Sequence, residues 1–112
     1  MIVTLLQFLS QIRIFHWQTD LYNHHVIFGE LYDAMDGLTD EILEVSFGQG
    51  YSKKLDDNKI IVTDIDTVSI STFLNDYISF ILDIKEQNPD LTNICDTMVD
   101  TINRKKYLLE MS

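Results

Sequence analysis

All three histidines of this chain lie within ten positions, in the stretch "HWQTDLYNHH", as His16, His24 and His25. A run of carboxylates follows them, and its members include Asp33, Asp36, Asp40 and Glu44. Imidazole nitrogen combined with carboxylate oxygen suits iron or zinc better than magnesium or calcium. The residue types and their closeness in sequence therefore indicate a candidate site for a transition metal.

Composition and charge narrow the range of partners. The chain has 112 residues, with 18 Asp and Glu against 8 Lys and Arg, for a net charge of −10. Such a charge attracts metal cations and repels both nucleic-acid phosphates and anionic membrane surfaces, so DNA is not an expected partner. The single cysteine, Cys95, cannot form an internal disulfide, and we expect it to fill the core of a cytoplasmic protein.

No membrane segment is expected in this sequence. No run approaches the roughly 18 uninterrupted apolar residues that a membrane-spanning helix needs. The first residues, "MIVTLLQFLSQIRIF", are apolar, but they lack the basic start and the small-residue cleavage site of a signal peptide.

Helical periodicity recurs four times and predicts helices at about 2–18, 23–45, 67–86 and 89–110. Asp66 and Thr67 are candidate N-caps of the third helix, and Pro89 suits the first turn of the fourth. Residues 46–66 have no helical period and predict a long connection, with a short extended piece at "KIIV". One long crossover between two short turns predicts an all-α, ferritin-like four-helix bundle that forms a single domain over 1–112.

A helical wheel shows where the carboxylates of the second helix point. With His25 at zero, the four acids named above fall between about 20° and 100°, whereas the apolar positions fall between about 220° and 300°. These apolar positions are Phe28, Leu31, Met35, Leu38 and Ile42. The chain also contains no Glu-x-x-His motif, which excludes the common di-iron site inside a bundle. The remaining option is a metal site between subunits, with ligands from the first two helices of one chain and the second helix of its partner.

The segment "FHWQTDLYNHHVIFGELYDAMDGLTDEILE" resembles the signature of the Dps mini-ferritins, which are starvation-induced iron-storage proteins. In that family a His-Trp pair on the first helix precedes a histidine that opens the second helix and an Asp-Glu-Ile-x-Glu segment. The stretch "DLTNICDTMVDTINRKKYLL" is similar, more weakly, to the last helix of the family.

The resemblance implies a homo-oligomer, at least a twofold dimer and in the family a shell of twelve subunits, that oxidises ferrous iron at sites shared across the dimer interface. It implies His16 and His25 as nitrogen ligands of iron, with zinc as a substitute, and Asp40 and Glu44 as the partner chain's oxygen ligands. It also implies that Trp17 is the oxidisable aromatic residue beside the iron.

Three features depart from the family. Gly29 stands where the family has an acidic ligand, the turn between the first two helices is short, and no basic N-terminal arm is present to hold DNA. Asp33 and Asp36 lie on the same helix face and are substitutes for the missing carboxylate. His24 is the alternative to His25, because a shorter turn could bring it into the ligand position.

Each candidate also has an ordinary interpretation. His16 could be a core or interface histidine hydrogen-bonded to backbone, Trp17 a packing aromatic, and the four acids a solvated helix face. These interpretations together describe the alternative function, a helical-bundle protein that kept the fold, lost iron oxidation and now serves a structural or partner-binding role. The acidic face contains no lysine or arginine, so a bound cation would relieve its like-charge repulsion.

Overall fold

The structure is a computed structural model that describes residues 1–111. Its four helices are α1 (Ile2–Gln18), α2 (Tyr22–Gly48), α3 (Ile70–Gln87) and α4 (Thr92–Met111). Short 3₁₀ turns at Ile65–Thr67 and Pro89–Leu91 precede α3 and α4, and the described residues form no strand. The predicted all-α, four-helix architecture is confirmed. Over the same residues, no helix is long and apolar enough to cross a bilayer.

One hydrophobic cluster joins all four helices. α1 packs on α2, α2 on α4 and α4 on α3, and aromatic rings connect α1 to α3. The closest of these ring contacts stacks Phe8 on Tyr77, with centroids 3.7 Å apart. Each fully buried aliphatic or phenyl side chain contributes about 1.5–3 kcal/mol to stability, so the core outweighs the local preferences of any one helix. Cys95 is a buried member of this cluster, and its burial raises the pKa of the thiol.

The start of α3 differs from the prediction. Asp66 and Thr67 were candidate N-caps, but they belong to the preceding 3₁₀ turn, and Ser69 caps the helix by accepting a bond from the Thr72 amide at 3.3 Å. The Thr67 hydroxyl instead donates to the carbonyl oxygen of Asp64 at 2.7 Å, so its hydrogen bond lies within the 3₁₀ turn. Pro89 likewise begins a 3₁₀ turn, and α4 itself starts three residues later, at Thr92.

The long connection between α2 and α3 runs beside α1 from its N-terminal end to its C-terminal end. Side-chain amides of α1 hold it by bonds of 2.8–2.9 Å to backbone groups of residues 61, 63 and 65, and these amides belong to Gln7, Gln11 and Gln18. Gln11 makes two such bonds, one to the N–H and one to the carbonyl of Thr63. Within the segment "KIIV", the Ile61 N–H donates to the side-chain oxygen of Gln7. The connection ends at the end of the bundle where α2 begins.

Candidate metal centre

His16 and His25 face each other where α1 ends and α2 begins. Their rings are stacked, with centroids 3.8 Å apart and planes inclined by 17°. Only residues 19–21 separate the two helices, so this short turn brings the imidazoles together. The result is a histidine pair within one chain.

Two reciprocal hydrogen bonds fix the orientation of this pair. Nδ1 of His16 donates to the carbonyl oxygen of His25 at 2.7 Å, and Nδ1 of His25 donates to the carbonyl oxygen of His16 at 2.7 Å. A carbonyl oxygen can only accept, so each Nδ1 carries a hydrogen, and the tautomer that fits these bonds has its lone pair on Nε2. Metal-binding histidines are commonly oriented by such a bond from the nitrogen that does not touch the metal.

Gly29 makes room for the His16 ring. A Cβ at this position would lie 3.1 Å from Cε1 and 3.3 Å from Nδ1 of His16, which is closer than nine in ten Cβ contacts. Any larger side chain here would require the imidazole to shift by a few tenths of an ångström. The absence of a side chain at Gly29 therefore suits the observed position of the His16 ring.

His24 points to a different part of the molecule from His25. Its ring meets Phe28 edge-on, with centroids 6.1 Å apart, and it lines a cavity between α2, α3 and α4. Of the two neighbouring histidines of α2, the structure brings His25 to His16 and leaves His24 out of the pair.

The carboxylates of α2 occupy the outer face of the helix. Asp33, Asp36, Asp40 and Glu44 are all exposed, while Phe28, Leu31, Met35 and Ile42 on the opposite side are fully buried, in agreement with the helical wheel. Within the described part of the chain, none of the four acids forms an ion pair. The neighbouring Glu30 differs, because its carboxylate binds Lys105 of α4 at 2.5 Å.

Distance along α2 separates the histidines from the most distal acids. At a rise of about 1.5 Å per residue, Asp40 lies about 22 Å and Glu44 about 28 Å beyond His25. Ligands lie about 2 Å from a bound transition metal, so one ion cannot contact both groups in one chain. Accordingly, no three His, Cys, Asp or Glu side chains among residues 1–111 are grouped closely enough to hold a metal ion. A single chain provides at most part of the predicted ligand set.

A model of a protein family of unknown function, DUF5856, matches residues 16–109. The chain belongs to this family. The matched region begins at His16 and contains every predicted ligand. No curated protein and no solved structure matches the chain. The resemblance of this DUF5856 protein to the mini-ferritins therefore stays a prediction.

Trp17 follows His16 in the sequence of this DUF5856 protein and lies on its surface. Its side chain is 67% exposed, so it is not a core aromatic. The Arg13 guanidinium lies 4.4 Å from the centroid of the Tyr32 ring and 5.6 Å from that of Trp17, which ties α1 to α2 at the surface. Arg13 was not among the predicted site residues, although it is the only lysine or arginine of α1 and lies at the edge of its apolar stripe.

Proposed function

We propose that two copies of this chain hold iron between them and oxidise Fe(II), in the manner of a small Dps-like ferritin. The observation that supports this most strongly is the histidine pair, whose two Nδ1–H groups are fixed by backbone carbonyls so that both Nε2 lone pairs remain available. The proposed nitrogen ligands are His16 and His25, and the proposed oxygen ligands are Asp40 and Glu44 of the second copy.

A twofold arrangement would bring these ligands together. The midpoint between His25 and the pair Asp40 and Glu44 lies near Ala34 on α2. Two antiparallel α2 helices that cross near this residue would set the histidines of one copy against the acids of the other, twice in each dimer. Gly37 is exposed near this level of the helix, and a Cβ there would meet nothing within 4 Å.

The donor set suits the proposed chemistry. Two neutral imidazoles and two carboxylates match the preference of iron, and zinc could occupy the same ligands without redox chemistry. Each ferrous ion would give one electron to oxygen or peroxide, so the metal and the oxidant supply the redox chemistry and the protein supplies the ligand geometry. Asp33 and Asp36 add negative charge that would attract further cations, and Trp17 is an oxidisable aromatic beside His16.

The helix arrangement is compatible with a ferritin-like bundle. α1 and α4 are each flanked by both α2 and α3, and the connection between α2 and α3 runs the length of α1. This packing order with one long crossover is what the ferritin-like connection pattern requires.

A second candidate function is supported by the same histidine pair. The stack and its two hydrogen bonds already join α1 to α2 without any metal, and Gly29 fits that packing. On this alternative the pair is a structural clamp, and the chain is a non-catalytic module that binds a partner protein.

Solution mass measured by light scattering, together with Fe(II) oxidation followed by absorbance, tests the proposal. We expect an assembly of at least two chains that oxidises iron faster than buffer alone and that loses this activity when zinc occupies the site. A dimer that binds neither metal would favour the structural module. A monomer without oxidation would contradict the proposed iron site.

A further inference from the structure

A second feature of the molecule, separate from the proposed iron site, is a cavity at the end of the bundle where α2 and α3 begin and α4 finishes. Its volume is about 170 Å³. The aliphatic part of its lining consists of Ile70, Leu74 and Leu109. The polar part consists of His24, Ser71, Lys106 and Glu110. An apolar wall with a few polar groups is the usual composition of a small-molecule site.

His24 brings an unsatisfied polar atom to this region. Its Nε2 is buried and has no hydrogen-bond partner among the described residues. A buried polar atom without a partner costs about 1–3 kcal/mol, and such atoms are uncommon in native proteins. The rest of the half-buried His24 side chain contributes to the wall of the cavity.

Two opposite charges flank the cavity on α4. Lys106 and Glu110 are one helical turn apart, yet the Lys106 ammonium donates to the Asn75 side-chain oxygen at 2.9 Å and makes no ion pair with Glu110. The N-terminus of α2 points toward the same end and has no side-chain cap. A molecule that carries both an anionic and a cationic group would complement this arrangement.

We propose that this cavity binds a free aliphatic α-amino acid of about the size of valine. The carboxylate would bind Lys106, the ammonium would bind Glu110, and the branched side chain would lie against Ile70 and Leu74. The cavity volume of about 170 Å³ suits a ligand this small.

Methyl NMR titration of the full chain with valine tests the assignment. Saturable shifts are expected at the methyl groups of Ile70, Leu74 and Leu109. Lys106→Met should weaken binding at least about tenfold, because it removes the partner of the carboxylate. Lys105→Met is the matched control, since Lys105 is adjacent in sequence but binds Glu30 outside the cavity. This control should leave the valine affinity unchanged.

Two analogues and a second variant test the recognition of both charges. Isovalerate lacks the ammonium and isobutylamine lacks the carboxylate, so both should bind more weakly than valine. Glu110→Gln should remove the preference for valine over isovalerate. The proposal is overturned if valine, leucine and isoleucine give no saturable shift, if isovalerate binds wild-type protein as well as valine does, or if Lys105→Met weakens binding as much as Lys106→Met.

Discussion

The two ends of the predicted metal site are organised in different ways. At the junction of α1 and α2, the chain itself holds His16 and His25 by a ring stack and two hydrogen bonds of 2.7 Å. Further along α2, Asp36, Asp40 and Glu44 follow one another at intervals of four residues, exposed and without an ion-pair partner in the described chain. The nitrogen half of the site, His16 and His25, is organised within one chain. The oxygen half, Asp40 and Glu44, consists of carboxylates that repel their neighbours, so a cation or a second chain is needed to stabilise it.

The largest effect is expected from removing the oxygen half. The double variant Asp40→Ala with Glu44→Ala should lower Fe(II) oxidation to the rate of buffer, because the remaining ligands are only the histidines. Absorbance at the ferric band measures the rate. Glu41→Ala is the control, since this acid is exposed on the same helix but about 100° round from Asp40, and it should retain activity. Unchanged oxidation in the double variant would remove Asp40 and Glu44 from the site.

Removing the nitrogen half should affect both metal binding and stability. His25→Ala deletes the ring stack and one hydrogen bond, but the backbone carbonyl that holds His16 remains. We expect the free energy of unfolding to fall by about 1–2 kcal/mol and zinc binding to weaken, as measured by urea unfolding and calorimetry. If stability falls while zinc affinity is unchanged, the pair is a structural clamp only.

Gly29 and Gly37 offer a matched test of the histidine pair. Alanine in a helix is about 1 kcal/mol more favourable than glycine, so Gly37→Ala, with nothing near its Cβ, should stabilise the metal-free chain. Gly29→Ala should not raise the free energy of unfolding in the same way, because its Cβ would lie 3.1 Å from the His16 ring. Urea unfolding of both variants gives the comparison. Equal stabilisation by the two substitutions would mean that Gly29 does not constrain His16.

Salt should have the smallest effect and should act mainly on the acidic half. Ion screening weakens repulsion between exposed charges, so added sodium chloride should stabilise the metal-free protein by a few tenths of a kcal/mol. The variant that lacks Asp40 and Glu44 should respond less in the same unfolding experiment. An equal response in both proteins would show that these acids do not strain the metal-free state.

Most of the fold follows from the spacing of apolar residues. The periodicity of "LLQFLSQIRIF" predicts α1 with its observed bounds, and the remaining helices differ from the prediction by a few residues at their ends. The errors lie at capping positions, because Asp66, Thr67 and Ser69 are all good caps and only the tertiary structure selects Ser69. The position of the long connection beside α1 could have been predicted from the glutamines of α1, since Gln7, Gln11 and Gln18 fall within about 40° on one face of the helix.

The candidate site was less accessible to sequence reasoning. The wheel predicts that Asp40 and Glu44 are exposed, because their direction depends only on helical geometry. It cannot predict that His25 rather than His24 meets His16, since this depends on the path of the short turn. It also treats Gly29 as a lost ligand, whereas in the structure a Cβ at this position would lie 3.1 Å from the His16 ring, so a side chain there requires the ring to shift.

The most direct test of the central claim, that two chains share each site, is a mixing experiment. One variant carries His16→Ala and His25→Ala, and the other carries Asp40→Ala and Glu44→Ala, so neither should oxidise iron alone. After the two variants are refolded together in equal amounts, half of the dimers contain one chain of each. In such a mixed dimer, the intact histidines of one chain meet the intact acids of the other at one of the two sites. About one quarter of wild-type activity should therefore return. If the mixture stays as inactive as its components while the dimers exchange, the ligands do not come from two chains and the proposed iron site is wrong.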